Sequence, residues 1–118
     1  MTEEKQFWTM EELLSITEKV QEAEVEYGEK SLKIQWCELT EAEEPKLVIP
    51  DESLPEETKT KMYVDMASDR VIAMMKKAED KNPEGQVLVL DQWKNLPTNL
   101  RYKIQNKILG AGTNFQSG

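Results

Sequence analysis

The side chains that most often carry out catalysis are scarce in this sequence of 118 residues. It contains no histidine, which removes the commonest general base and the commonest metal ligand together. Its single cysteine, Cys37, cannot by itself form a zinc site or an internal disulfide. The five glycines are scattered along the chain, so they form no phosphate-binding loop.

Pairs of carboxylates are the remaining candidates for chemistry. Glu43-Glu44 and Glu56-Glu57 are adjacent, but in a chain with 23 acidic residues such pairs are far more often solvated charge than an acid and a base. A magnesium site made of carboxylates alone is conceivable, and no spacing points to one. We therefore predict no catalytic residues, no metal and no cofactor, and a protein that works by binding another macromolecule.

Charge is unevenly distributed along the chain. Residues 1–60 hold 17 acidic and 6 basic side chains, whereas residues 61–118 hold 6 acidic and 9 basic ones. Because affinity for phosphates depends on Lys and Arg, the acidic half disfavours direct contact with nucleic acid. The simpler interpretation of this half is a solvated surface. The alternative is a face for a basic partner, or a mimic of DNA that inhibits a nucleic-acid-binding defence enzyme of the host.

The compartment follows from two further observations. No apolar stretch approaches the roughly 20 residues needed to span a bilayer, so we expect no membrane contact. Cys37 requires no oxidising environment, and its simplest role is that of a small, half-buried side chain. Both observations predict a cytoplasmic protein.

The first half of the chain reads as a helix followed by a hairpin. Thr9 and Glu12 have the spacing of a capping box, which predicts a helix over 9–22, with Phe7 or Trp8 packed against Leu13 as a hydrophobic staple. Apolar residues then alternate with polar ones on both sides of Gly28-Glu29. This pattern predicts a β-hairpin with one apolar and one charged face. A single turn beginning at Thr40 and a loop or short edge strand at 47–50 follow.

The second half reads as two helices. A cap at Ser53 predicts a long helix over 54–80, whose methionines, Met62, Met66, Met74 and Met75, could form an adaptable groove but are more often plain core. An extended run at 86–90 and a turn around Trp93 precede a last helix that Gly110 terminates. An apolar stripe at four-residue spacing, Leu100, Ile104 and Ile108, runs along this helix. The basic face of that helix could touch nucleic acid, it could be an ordinary solvated face, or, as we favour, it could dock against the acidic hairpin.

The predicted architecture is a single α+β domain over 1–110, a small β-hairpin or sheet packed against about three α-helices, with a disordered, flexible C-terminal tail at 111–118. The predicted core consists of Trp36, Leu39, Tyr63, Met66, Val71, Met74, Trp93, Leu96, Leu100 and Ile104.

Two stretches resemble a known family. Residues 32–43 read as a strand that leads into Leu-Thr-x-x-Glu, and residues 93–104 place Trp-x-x-Leu-Pro at the start of the last helix. Together with the order of elements, they resemble the small tail assembly chaperones of siphophages and prophages. The resemblance implies a non-enzymatic protein of the infected cell's cytoplasm, which coats the tape measure protein and helps recruit tail tube subunits. It implies no catalytic residues, and a homo-oligomer is compatible with it.

The candidate residues for binding a protein partner are Trp93, Leu96, Arg101, Met75 and Phe115. Trp93 lies where a polar loop meets an apolar helix, the kind of position at which aromatic anchors concentrate binding energy. The alternative is that Trp93 fills the core.

Overall fold

Three α-helices and two β-strands form the part of the chain that the structure describes. The computed structural model describes the backbone of residues 6–117 and the side chains of residues 6–110. In chain order the elements are α1 (Met10–Ile16), β1 (Gln21–Tyr27), β2 (Lys30–Trp36), α2 (Glu56–Lys81) and α3 (Thr98–Ser117), with short 3-10 turns at Glu41–Glu43 and Leu90–Asn95. The predicted α+β class is confirmed.

Helix α1 begins at the predicted capping box. The Thr9 hydroxyl accepts a hydrogen bond from the backbone N–H of Glu12 at 3.1 Å, and the Glu12 carboxylate accepts one from the backbone N–H of Thr9 at 2.9 Å. The helix ends at Ile16 rather than near residue 22. The reason is that Gln21 already pairs with Trp36 as the first residue of β1, and strand backbone is incompatible with helical dihedral angles.

The predicted hairpin is confirmed, with Gly28 and Glu29 as its two-residue turn. The strands pair antiparallel, in a register that sets Tyr27 opposite Lys30 and Val25 opposite Leu32. Gly28 has a φ of +65°, while the described non-glycine residues, Glu29 included, have none that is positive. This is the pattern of a type II′ turn, whose twist matches that of the strands it joins. The turn therefore sets a register that the sequence pattern left open.

The division of the hairpin into an apolar and a charged face holds for β1 but not for the end of β2. The glutamates of β1 stay exposed, whereas residues 34–37 are all buried. The second half of α2 covers this end, where the backbone N–H of Cys37 donates to the carbonyl of Met74 at 3.0 Å. Cys37 is thus fully buried rather than half-buried, and desolvation raises the pKa of its thiol.

Gln35 joins β2 to the end of α2 through buried amide contacts. Its Nε2 donates to the carbonyl of Asn82 at 2.7 Å, and its Oε1 accepts from Asn82 Nδ2 at 3.1 Å. Gln86 Oε1 accepts from the backbone N–H of Gln35 at 3.4 Å. Gly85 lies so close to the Gln35 carboxamide that a β-carbon there would overlap it. Polar contacts therefore hold the turn at 82–86 on the hairpin.

Helix α2 lies within two residues of its predicted bounds. Its predicted cap is wrong, because Ser53 donates its backbone N–H and its hydroxyl to the Asp51 carboxylate, each at 2.9 Å. Pro55 takes the N-cap position instead. A local Asp-Ser turn thus competes successfully for the residue that was expected to cap the helix.

The buried positions of α2 all lie in its second half. They are Val71, Met74, Met75 and Ala78. Tyr63 was predicted in the core and is 55% exposed. A helix of 26 residues is about 39 Å long and a strand of seven about 23 Å, so the hairpin cannot cover the whole helix. The prediction for Tyr63 fails for that reason.

The run at 86–90, predicted as extended, forms no strand, since β1 and β2 alone make up the sheet of the described residues. It leads into the 3-10 turn that was predicted around Trp93. Trp93 is 2% exposed, and its Nε1 donates to the hydroxyl of Ser68 at 2.7 Å. The turn therefore buries the indole ring in the core and ties it to α2.

Helix α3 presents the predicted apolar stripe to the core, namely Leu100, Ile104 and Ile108. It continues to Ser117, past Gly110, where the sequence predicted its end. The predicted flexible tail at 111–118, with Phe115, lies outside the residues whose side chains the structure describes.

One core joins the hairpin, α2 and α3. Its buried members are Val25, Ile34, Trp36, Val71, Met74, Met75, Leu90, Trp93, Leu100, Ile104 and Ile108. Leu39 and Leu96, also predicted there, pack against it and are partly buried. Met66, the remaining predicted member, is half-buried outside this cluster.

Candidate protein-binding surface

Cations on α2 bind glutamates that follow the hairpin. Arg70 Nε lies 2.8 and 2.9 Å from the two carboxylate oxygens of Glu44. Lys77 Nζ lies 2.7 Å from Glu43 Oε1 and also donates to the carbonyl of Glu38 at 3.1 Å. These contacts fix the segment at 38–44 along the helix.

A third ion pair forms farther along the same helix. Lys81, one turn beyond Lys77, binds Glu18 in the loop between α1 and β1. The hydrogen bond from Lys81 lowers the pKa of Glu18. Part of the charge separation along the sequence is therefore neutralised inside the molecule, between the acidic first half and α2.

The carboxylate of Glu43 is strongly perturbed by its partners. The hydrogen bond from Lys77, and next that from the backbone N–H of Thr40, lower the pKa of Glu43 from 4.5 to about 2. Both donors stabilise the ionised form. The turn at Glu41–Glu43 is thus held by a charge that acid can remove.

We expect the contacts of Glu43 to stabilise the fold above about pH 4.5 and to lose this effect as the pH falls toward about 2. The sign follows because the folded pKa lies below the unfolded one, so the unfolded chain takes up the proton first. Melting temperatures of the wild type and of Glu43→Gln should differ at neutral pH and converge in acid.

Glu41→Gln is the matched control for this experiment, because Glu41 belongs to the same turn and forms no ion pair within the described residues. Its melting temperature should follow that of the wild type at every pH. A deficit of Glu43→Gln that stays constant down to pH 2 would contradict the ion-pair explanation.

An apolar groove opens on α2 next to the Arg70–Glu44 pair. Residues 44–47 lie opposite Met66, Ala67, Asp69 and Arg70, and together they line a cavity of about 410 Å³. We call this cavity the α2 groove. The unbranched Met66 side chain can adapt to occupants of different shape. A methionine groove on this helix was the less favoured alternative to plain core, and Met66 is the member of that set that lines the α2 groove.

Leu47, Val48 and Ile49 extend the apolar surface beyond the α2 groove. They are 72%, 51% and 80% exposed. Pro45 and Pro50 lie on either side of this run. Proline has no backbone N–H to donate to the hydrogen bonds of a helix or a sheet. Three consecutive exposed apolar side chains weaken solubility and are expected only where they serve a function. The sequence signal was this apolar triplet between two prolines, which we interpreted as a loop or edge strand.

A second exposed apolar surface lies on and before α1. It comprises Phe7, Trp8, Met10, Leu13 and Leu14, each at least 44% exposed, and no residue of α1 is buried. We call residues 7–14 the N-terminal arm. With Phe7 77% and Trp8 57% exposed, the predicted staple against Leu13 would bury little of either ring. The arm thus presents apolar side chains beside the exposed acids Glu11 and Glu12.

The residues that the sequence suggested for binding do not form one surface. Trp93 and Met75 are 2% and 0% exposed, so a partner could reach neither without opening the core. For Trp93 this burial supports the alternative, a packing role. Met75 is buried because α2 is covered on more than one side, by β2, by α3 and by the turn that carries Trp93.

The other suggested residues are spread over the molecule. Leu96 packs against the core and is partly buried. Arg101 is half-buried and donates from Nη2 to the hydroxyl of Thr98 at 3.1 Å. Phe115 belongs to the stretch whose side chains are not described. Of these, Arg101 faces a separate cleft between α2 and α3, lined also by Lys61 and Asp65.

The described residues include no cluster of three or more His, Cys, Asp or Glu side chains that could hold a metal ion. Over the same part of the chain, each helix is too short or too polar to cross a bilayer. Comparison with family models, with curated proteins and with solved structures gives no match. The exposed apolar surfaces and the two resembling stretches therefore carry the functional argument.

Proposed function

We propose that this protein binds another protein without catalysis, as a tail assembly chaperone of the siphophage type, and that the α2 groove with Leu47–Ile49 receives the client. The observation that carries the proposal is solvent-exposed apolar surface beside charged residues, in the α2 groove with Leu47–Ile49 and on the N-terminal arm. A chaperone for an aggregation-prone client needs such patches, because they offer apolar contact while the surrounding charge keeps the complex soluble.

The client follows from the resemblance. Residues 32–43 form a strand followed by a single turn, and residues 93–104 form a turn followed by the last helix, an order of elements that supports it. By this proposal the client is the tape measure protein, tail tube subunits are recruited to the complex, and both steps occur in the cytoplasm of the infected cell. Inhibition of a defence enzyme by DNA mimicry ranks second, because Glu18, Glu43 and Glu44 already pair with cations of this chain.

The test is co-expression with the tape measure protein, whose gene this proposal expects beside that of this chain. The wild type should keep the client soluble and copurify with it. Leu47→Ser combined with Ile49→Ser should weaken the complex by about tenfold or more, since both side chains are largely exposed and available for contact. The melting temperature should change little, because neither side chain packs in the core.

Val87→Ser combined with Val89→Ser is the matched control. These valines are also largely exposed, at 77% and 61%, but lie outside the α2 groove. The proposal fails if the two double variants bind the client equally well, or if no tape measure gene and no tail tube gene flank this one.

A further inference from the structure

Among the residues that the structure describes, no strand neighbours the outer edge of β1. In the described residues the sheet has two strands, and β1 pairs with β2 alone. Tyr27 and Lys30 close the two-residue turn, so the N–H and C=O groups of Tyr27 and of every second residue before it point toward β2. The corresponding groups of Glu22, Glu24 and Glu26 point outward.

A contact with α3 agrees with this assignment. Lys103 Nζ donates to the carbonyl oxygen of Glu26 at 3.0 Å, and it reaches that oxygen from the helix side rather than from β2. Within the described residues, no backbone hydrogen bond from outside the hairpin reaches Glu22, Glu24 or Glu26. The free edge therefore offers up to five backbone donors and acceptors besides the carbonyl that Lys103 occupies.

A groove runs between this edge and α3. It has a volume of about 620 Å³ and is lined by Ala23, Glu24, Val25, Glu26, Lys103 and Lys107. A free strand edge facing a helix is an arrangement in which extended peptides bind by adding a strand, with backbone hydrogen bonds for affinity and alternate side chains for specificity. Five residues of strand, from Glu22 to Glu26, span about 13 Å.

The charges beside the groove define the chemistry of its occupant. Glu22, Glu24 and Glu26 are exposed on one face of β1, at the two-residue period of a strand. Residues directly opposite them on an added strand would lie on the same face and would meet three carboxylates. Glu22 also lies 3.8 Å from Lys33 Nζ, so Glu24 and Glu26 have the larger share of uncompensated charge.

The other face of the groove has the opposite character. Lys103 and Lys107 lie there beside Ala23 and Val25. On an added strand, the residues between those that face the glutamates would point toward Lys103 and Lys107. Small, apolar or acidic side chains fit at these positions.

We propose that the free edge of β1 binds an extended segment of another protein that carries Lys or Arg at every second position, and that this segment becomes the third strand of the sheet. In the free protein, Lys103 covers the carbonyl of Glu26, and charged side chains commonly protect sheet edges in this way. Binding of the segment replaces this contact. The site lies apart from the α2 groove and its test involves no tape measure protein, so the two proposals fail independently.

The probe is the capped heptapeptide Lys-Thr-Lys-Thr-Lys-Thr-Lys, titrated at low salt by calorimetry and by NMR. It should bind more tightly than a peptide of the same composition with its lysines adjacent, and it should slow amide exchange at Glu22 and Glu24. Equal affinity for both peptides would overturn the proposal, because charge alone would then account for binding.

Glu24→Pro tests the backbone contribution. Proline removes the outward N–H of an edge strand without removing a hydrogen bond to β2, so the hairpin should persist while affinity falls by about tenfold or more. Glu24→Gln keeps that N–H and should lose only a few-fold. Wild-type affinity in the proline variant would overturn the proposal. If that variant does not fold, amide hydrogen exchange in the wild-type protein with bound peptide is the deciding measurement. Slower exchange at Glu22 and Glu24 supports the added strand, and unchanged exchange at both residues overturns the proposal.

Discussion

Trp93→Ala is expected to lower the free energy of unfolding by about 3–5 kcal/mol. The indole ring is 2% exposed within a core shared by the hairpin, α2 and α3, so its removal leaves a cavity that the surrounding helices can fill only in part. The hydroxyl of Ser68 also loses the donor it holds at 2.7 Å. Urea denaturation followed by circular dichroism measures the loss without depending on tryptophan fluorescence.

Trp8→Ala is the matched control for this substitution. Trp8 is 57% exposed on the N-terminal arm, so the change in the free energy of unfolding should stay near about 0.5 kcal/mol. A loss of client binding without a loss of stability would fit the structure for Trp8→Ala. The same result would not fit it for Trp93→Ala. A Trp93→Ala protein of normal stability and weakened client binding would contradict the packing role.

Local patterns predicted those elements whose determinants lie close together in the chain. The Thr9 capping box, the alternation on both sides of Gly28 and the stripe of α3 each involve residues a few positions apart, and each appears in the structure. Gln35 was placed on the solvent side by the same alternation. It is buried because the turn at 82–86 folds back over it, a contact between residues about 50 positions apart. No period of two or 3.6 residues encodes such a contact.

The relative sizes of elements were likewise outside the reach of local patterns. Tyr63, Met66, Val71 and Met74, which were predicted in the core, form an apolar stripe along α2 at helical spacing. The period of this stripe contains no information on where the hairpin stops covering the helix. Met75 lies off that stripe and is nevertheless buried, because the helix is enclosed on more than one side. Both outcomes depend on how three elements assemble.

The candidate binding surface depends on ion pairs that could not be predicted from the sequence. Seventeen acidic residues occupy the first half of the chain, and composition cannot say which of them binds which cation. In the structure Glu44 binds Arg70, and this pair holds residues 44–47 against α2 to form the groove. Leu47–Ile49 was recognisable as an unusual apolar run. Its position beside a groove was not.

Gly85→Ala is expected to lower the free energy of unfolding by about 1–3 kcal/mol, whereas Gly110→Ala should be neutral or stabilising by up to about 1 kcal/mol. A β-carbon at Gly85 would overlap the carboxamide of Gln35, which is fully buried and cannot move away without breaking its bonds to Asn82. At Gly110, inside α3, no atom of the side chains that the structure describes lies within 4 Å of the added carbon, and alanine is the better helix former.

Urea denaturation of both alanine variants, in the wild type and in a Gln35→Ala background, separates crowding from any backbone effect. Removing the Gln35 carboxamide should itself destabilise the protein, but it should also remove most of the additional cost of Gly85→Ala. The nearest colliding group is then gone, and Asn82 Nδ2, which would lie 2.5 Å from the added carbon, is no longer held in place by its bond to Gln35 Oε1. The cost of Gly110→Ala should be the same in both backgrounds because the two sites share no contact. If Gly85→Ala costs the same with and without Gln35, the penalty arises within the turn at 82–86, from its backbone or from Asn82, and not from close packing against Gln35 of β2.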